Sequence, residues 1–319
     1  MTDNISRRSL LTSSMAAAGA GLMLAAPSPT PAADAEARPK SEPFRYCLNM
    51  GTIRGQNLTL VEEIETAAKA GYDGVEPWSR KIDAYVKEGG SLKDLGKRIS
   101  DLGLTVDSAI AFSNWIVDDD AKRAQALEEA KRNMDALAQI GGTRIAAPPA
   151  GATDQADLDL FKAAQRYRAL LELGDQMGVV PQVEVWGFSK SLARLGEAVF
   201  VAIESGHPHA CLLPDVYHVY KGGSEFDGLQ MVAGNSIHVF HANDYPADPP
   251  RETINDSHRV YPGDGVAPLT EIYQTIYNSG FRGTLSLELF NREYWKQDAL
   301  TVAQTGLEKM RTSVQKAFA

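Results

Sequence analysis

Thiols and positive charge are what this 319-residue chain has least of. Only Cys47 and Cys211 are present, each inside an apolar run, which excludes a disulfide framework, a CxxC redox pair and a thiolate metal site. Lys and Arg number 32 against 41 Asp and Glu, a net charge of −9 at pH 7 with a sequence pI near 5.2. Such a surface repels polyanions, so nucleic acid is not an expected partner. No G-x-G-x-x-G follows the first apolar run, and no glycine-rich phosphate cradle is present. The run Met15–Ala26 is short and rich in Ala and Gly, so no stable membrane insertion is expected of the mature chain.

With 44% hydrophobic and 23% charged residues, the composition is that of a globular protein. Its first residues read differently from the rest. Arg7-Arg8 is followed by Ser9-Leu10-Leu11, the apolar run, and a Pro-rich exit ending Pro31-Ala32-Ala33. This order of basic, apolar and small residues predicts a twin-arginine-type signal peptide over 1–33, a linker over 34–43 and a periplasmic mature protein.

From Phe44 to the end, short apolar runs alternate with segments of helical period, the pattern of repeated βα units on a parallel sheet. Eight strands are predicted at 44–50, 73–77, 104–111, 143–147, 179–185, 210–216, 236–241 and 283–289. Helices are predicted at Leu60–Ala70, Ala121–Ile140, Leu158–Met177, Leu192–Glu204, Leu269–Asn278 and Ala299–Ala317. Gly71, Gly103, Gly141, Gly178, Gly206 and Gly280 each follow a helical run, where a left-handed stop is wanted before the next strand. Eight such units predict an α/β fold of one (β/α)8 barrel spanning 44–319.

In that barrel the C-terminal strand ends converge on one mouth. The last four strands close on Glu184, Asp215, His241 and Glu288. An acidic or imidazole group closing an apolar run is costly to bury alone, and a shared cation offsets that cost. Three carboxylates and one imidazole suit one divalent ion, Mn²⁺ first, with Mg²⁺, Co²⁺ or Zn²⁺ as alternatives. His218, beyond the sixth strand, and Arg259, before Tyr261-Pro262-Gly263, are placed to hold substrate oxygens. Glu76, at the end of the second strand, either contacts substrate or orients a neighbour. Trp78, Trp115 and Trp186 lie just past strand ends, where flat rings can pack on a sugar or plug the barrel top. His207 and His209 precede the sixth strand, at the opposite end, and no chemistry is expected of them.

Gly-Tyr-Asp-Gly-Val-Glu, Val-Glu-Val, Pro-Asp-Val-Tyr-His, His-Val-Phe-His-Ala-Asn-Asp, Pro-Gly-Asp-Gly and Leu-Ser-Leu-Glu follow one another along residues 44–317. As an ordered set they resemble the sugar phosphate isomerase/epimerase superfamily, the xylose isomerase-like barrels that include ketose 3-epimerases, hydroxypyruvate isomerase and inosose dehydratase. The resemblance implies that Glu184, Asp215, His241 and Glu288 bind the metal. It also implies that Glu184 and Glu288 form the acid/base pair, with His218 and Arg259 on substrate oxygens. The implied reaction is isomerisation or epimerisation of a keto-sugar through an enediolate stabilised by the cation. The alternatives are a metal-dependent lyase or dehydratase on a 3-keto sugar, keto-glycoside or inosose, and a non-catalytic periplasmic carbohydrate-binding protein. Ketose epimerases carry another Glu six residues after the fifth-strand ligand. Here that position is Lys190, so the substrate contacts differ. The expected partner is a small carbohydrate, unphosphorylated because the protein is expected outside the cytoplasm, and a homo-oligomer is compatible with the sequence. The loop Asn243–His258 is an expected lid or docking surface.

Overall fold

The computed structural model describes residues 42–319. The predicted signal peptide and all but the end of the linker lie outside them. Eight parallel strands run in chain order: β1 (Arg45–Asn49), β2 (Gly74–Glu76), β3 (Thr105–Val106), β4 (Arg144–Ala147), β5 (Val180–Glu184), β6 (Leu212–Leu213), β7 (Val239–Ala242) and β8 (Thr284–Leu287). They pair as β3-β2-β1-β8-β7 and as β4-β5-β6. Two seams join these arcs into a barrel. Beyond β3, the Ala109 N–H donates to Arg144 O and Ala109 O accepts from the Ala146 N–H. At the other seam Leu212 bridges to Ile237, and Asp215 to His241.

The helices are α1 (Leu60–Ala70), α2 (Ser79–Lys87), α3 (Leu92–Asp101), α4 (Asp120–Gln139), α5 (Leu160–Met177), α6 (Leu195–Glu204), α7 (Val216–Lys221), α8 (Leu269–Asn278) and α9 (Ala299–Ala317). Carboxylates or hydroxyls cap most of the long ones: Thr59 forms a capping box with Glu62 on α1, while Asp119, Asp159 and Asp298 cap α4, α5 and α9. All six glycines expected as helix stops have positive φ, from 60° at Gly206 to 99° at Gly280.

Residues alternate across each strand. Leu48, Val75, Val183, Phe240, Leu285 and Leu287 are fully buried and belong to one core with Ile64, Leu137, Leu171, Val201, Ile276, Val302 and Met310 of the helices. The intervening positions are polar: Gln182 and Glu184 on β5, Ser286 on β8 with Glu288 just past it, His241 on β7, Glu76 on β2 and Asn49 on β1. All seven are buried, and their contacts cross the barrel, as from Gln182 to Ser108 and from Ser286 to Glu76. The apolar core therefore lies between sheet and helices, and the barrel axis is left to a polar network that must satisfy itself.

The sixth strand is shorter than its apolar run. Pro214 has no N–H for the ladder, and the chain turns into α7 after Asp215. The Pro214 carbonyl still accepts the His241 N–H at 2.9 Å, so Asp215 stays in register with His241.

Candidate active site at the barrel mouth

The four predicted ligands meet at the C-terminal end of the barrel. His241 and Asp215 are 0% exposed, Glu184 3% and Glu288 4%. One atom each of Glu184, His241 and Glu288 lies within 4.8 Å of the others. His241 Nδ1 stands 3.2 Å from Glu288 Oε2 and 3.7 Å from Asp215 Oδ2. It makes no hydrogen bond of its own. A buried ring nitrogen without a partner, facing carboxylates from two other strand ends, is a donor set a divalent cation fits: one imidazole, three carboxylates and no thiolate.

Three of these groups, His241, Glu288 and Asp215, are oriented by neighbours. Glu76 Oε2 holds His241 Nε2 at 3.0 Å, which turns Nδ1 toward the carboxylates. The same oxygen accepts from Asn49 Nδ2 and from Ser286 Oγ, both at 2.8 Å. Asn49 Nδ2 also donates to Glu288 Oε1 at 3.1 Å, and Asn49 Oδ1 accepts from the Trp78 indole at 3.2 Å. Asp215 does two jobs. Its Oδ1 caps α7 by accepting the His218 N–H at 2.7 Å, and its Oδ2 accepts from Asn243 Nδ2 and Arg259 Nη1, each at 2.9 Å.

Arg259 is the fixed cation of the site. It is fully buried; Nη1 reaches Asp215 and Glu288 at 2.9 Å, and Nη2 reaches Asp256 at 2.6 Å and His218 Nε2 at 2.9 Å. A guanidinium only donates, so Nε2 of His218 is the acceptor in that contact, while Nδ1 faces the Gly187 N–H at 3.3 Å. Burial, with the Arg259 charge beside it, lowers the His218 pKa to about 4, which keeps the ring neutral at pH 7.

The two opposed carboxylates differ. Burial dominates at Glu184 and, with Glu288 nearby, raises its pKa well above the usual carboxylate range against the pull of His241. Glu288 is also desolvated, but His241 and Arg259 hold its pKa below the ordinary value. Burial works against charge on His241 too, yet Glu288 and Glu76 on either side raise its pKa well above that of a free imidazole.

A cavity of about 380 Å³ opens onto this cluster, lined by Glu184, Glu288, His218, Arg259, Trp78 and Trp186 among others. Two expected substrate contacts are not placed there. Trp115 is completely buried; its indole donates to Pro148 O at 2.8 Å and its ring packs 5.7 Å from Tyr167, so it plugs the structure away from the cavity. Glu76 is also fully buried, and its hydrogen-bonded oxygen is spent on His241, Asn49 and Ser286, which makes it an orienting group rather than a substrate contact. Lys190 is an exposed neighbour of Asp154, 3.6 Å away.

The loop 243–258 forms cavity wall through Asn255 and Asp256. It is tied down by Lys221 on Arg251 O and Glu252 O, by Tyr217 on Ile254 O, and by Tyr245 stacked on Tyr220 at 3.8 Å. That is the anchoring of a wall, not of a free lid.

Asn49, Asn243, Arg54, Phe290 and Trp295 escaped the sequence reading. Asn49 closes a strand as Glu76 does and Asn243 directly follows one, so the same strand-end reasoning would have found both; Arg54, Phe290 and Trp295 lie in the irregular segments after β1 and β8, which carry no periodic signal.

Residues 64–313 match the family described as the xylose isomerase-like TIM barrel. The chain belongs to that family. Among curated members of wider kin, the inosose isomerase of Bacillus velezensis is 25% identical over 281 residues, 86% of this chain and 98% of that protein. The fructoselysine 3-epimerase of Escherichia coli O157:H7 is 24% identical over 82% of this chain and 96% of its own. The 3-dehydroshikimate dehydratase of Pseudomonas aeruginosa is 26% identical over 79% of this chain but only 39% of its own length. Among solved structures, the IolI protein with a bound zinc atom superposes with a TM-score of 0.79 at 23% identity, covering 86% of this chain and all of that one. This family member is thus an enzyme of the isomerase, epimerase and dehydratase kind. Among its described residues no helix is long and apolar enough to cross a membrane.

Proposed function

We propose that this enzyme is a divalent-metal-dependent isomerase or epimerase of an unphosphorylated keto-sugar or related polyol ketone. The observation that carries the reading is the convergence of Glu184 and Glu288 on His241 at the floor of an aromatic-walled cavity. Glu184, Asp215, His241 and Glu288 would hold one divalent ion, with Mn²⁺ our first choice. When bound, it would polarise the substrate carbonyl and make the adjacent C–H more acidic.

The chain's own groups do the rest. One of Glu184 and Glu288 takes the proton from the carbon beside the carbonyl, and the other returns one to the opposite face or the neighbouring carbon. Arg259, locked by Asp215, Glu288 and Asp256, offers positive charge where negative charge develops on oxygen. The neutral His218 ring positions that guanidinium and borders the same cavity. Trp78 and Trp186 provide flat faces for the sugar ring and exclude water.

A second reading has support in the dehydratase relative. If the same carbanion expels a β-oxygen, the product is an unsaturated ketone and the enzyme is a lyase. Incubation with 3-keto sugars and inososes, followed by product analysis, separates the two. We further propose export to the periplasm by the Arg7-Arg8 signal; replacing both arginines by lysine is expected to leave the protein in the cytoplasmic fraction, and unchanged export would refute it.

A further inference from the structure

Arg54 is a second guanidinium of the same cavity, and its situation is the reverse of that of Arg259. It rises from the turn Met50–Gln56 and lines the cavity with Glu184 and Glu288. Its Cζ stands 4.8 Å from the Trp295 ring, 5.2 Å from Trp78 and 5.4 Å from Phe290. Among the described residues its guanidinium has neither a carboxylate partner nor a hydrogen-bond acceptor. Burial, and then the charge of Arg80, work against its cationic form, and the more distant charge of Glu288 favours it. Arg292, an exposed residue of the same cavity lining, is likewise without a carboxylate partner among the described residues. In a chain of net charge −9, two guanidiniums without a salt-bridge partner on the lining of one cavity offer an anionic ligand a place to bind.

The group is also pre-placed. Thr52 Oγ1 donates to Leu287 O at 2.8 Å and accepts the Leu289 N–H at 3.0 Å, so the turn is stapled to the end of β8 beside Glu288. The Trp295 indole donates to Gly51 O at 3.3 Å, and its side chain lies so close to Gly55 that a Cβ there would meet Trp295 Cβ at 2.2 Å and the ring Cγ at 2.3 Å. The Trp78 indole is held by Asn49. Two tethered indoles and the Phe290 ring therefore frame a partly buried fork of donors that has no acceptor of its own.

We propose that Arg54 is a carboxylate-binding subsite, so that the substrate is an acidic keto-sugar or cyclic keto-acid whose carboxylate lies on Arg54 while its ketone faces Glu184 and Glu288. A planar fork matches a planar carboxylate bidentately. The assignment rests on the cavity being the substrate site, and its test needs no turnover. Shikimate and its uncharged methyl ester share one ring and differ in charge. Calorimetry of the metal-loaded protein is expected to show shikimate binding at least about tenfold tighter than the ester. The preference should vanish in Arg54→Gln and be partly kept in Arg54→Lys. No preference in the unaltered protein, or a preference that survives Arg54→Gln, overturns the proposal. Inorganic phosphate competing with shikimate better than acetate does would reassign the subsite to a phosphate and also overturn it. Absence of proton exchange on any ketone, with the Arg54-dependent preference intact, would remove the catalytic reading and leave the subsite standing.

Discussion

The two ends of the barrel carry nearly the same side chains to different effect. At the mouth, Asp215, His218 and His241 are buried with Glu184, Glu288 and Arg259. At the other end Asp175, on α5, faces His207 and His209 at 3.3 and 2.7 Å. In that second cluster His207 Nδ1 accepts the His209 N–H at 3.2 Å, so the ring proton sits on Nε2, which faces Asp175. His209 and Asp175 are about half exposed, so water and one another satisfy them. At the mouth nothing but the network itself satisfies the charges, and one ring nitrogen is left over. Residue type is shared; burial and the direction of the strands decide which cluster can do chemistry.

Substitutions can break that contrast. The largest expected effect is on turnover: Glu184→Gln or Glu288→Gln should lower it about 10²–10⁴-fold in a steady-state assay, while Asp175→Asn and His209→Ala leave it unchanged. Equal losses at both ends would erase the distinction. Next comes Arg259→Met, which strips the cation from three carboxylates; denaturant titration of the metal-free protein should show a loss of about 3–5 kcal/mol. The loss should shrink when a divalent ion is added, since the ion would neutralise two of those carboxylates, Asp215 and Glu288.

Glu76→Gln sharpens the contrast, because it loosens His241 without touching the cavity. Metal affinity, read by competition with a chelator, is expected to fall about 10–100-fold while the fold persists. A change confined to kcat with metal binding intact would instead make Glu76 a substrate contact.

The smallest effect concerns Glu63, a buried carboxyl on α1 outside both clusters. Burial raises its pKa from 4.5 to about 7, against the pull of Lys81 at 3.1 Å. The folded chain thus holds a proton that the unfolded chain has released between pH 4.5 and 7, and stability falls as pH rises through that window. Glu63→Gln should therefore raise stability at pH 8, on the order of 1 kcal/mol after the Lys81 contact is lost, and give no gain at pH 4. A gain independent of pH would mean that Glu63 is already ionised in the fold.

Most of the barrel could be read before folding because its signals are local. Each strand is a short apolar run, and each of six helices ends in a glycine that the structure finds at positive φ. Helix α1, α8 and α9 carry their expected bounds exactly as the apolar period places them. The short α2 and α3 and the one-and-a-half-turn α7 have no predicted bounds, although the stop at Gly103 that ends α3 is among those expected. The site was legible to the extent that it sits on strand ends: Glu184, Asp215, His241 and Glu288 converge as the alternation of strands requires. Trp115 shows the limit, because a tryptophan past a strand end reads the same whether it lines a cavity or fills one. Arg54 shows the opposite limit. Its neighbours Trp78, Phe290 and Trp295 are scattered through the chain, and only the turn stapled to β8 by Thr52 brings them together.

The central claim is proton transfer between Glu184 and Glu288 at a metal-dependent site. It is tested most directly by NMR in D₂O, following a panel of ketoses, 3-keto sugars and inososes with Mn²⁺-loaded and EDTA-stripped protein and chelating the metal before spectra are taken. The account predicts deuterium uptake at the carbon beside the carbonyl that needs the metal and is abolished by Glu184→Gln or Glu288→Gln. Sugar binding with no exchange on any ketone, or exchange that survives both substitutions, would contradict it.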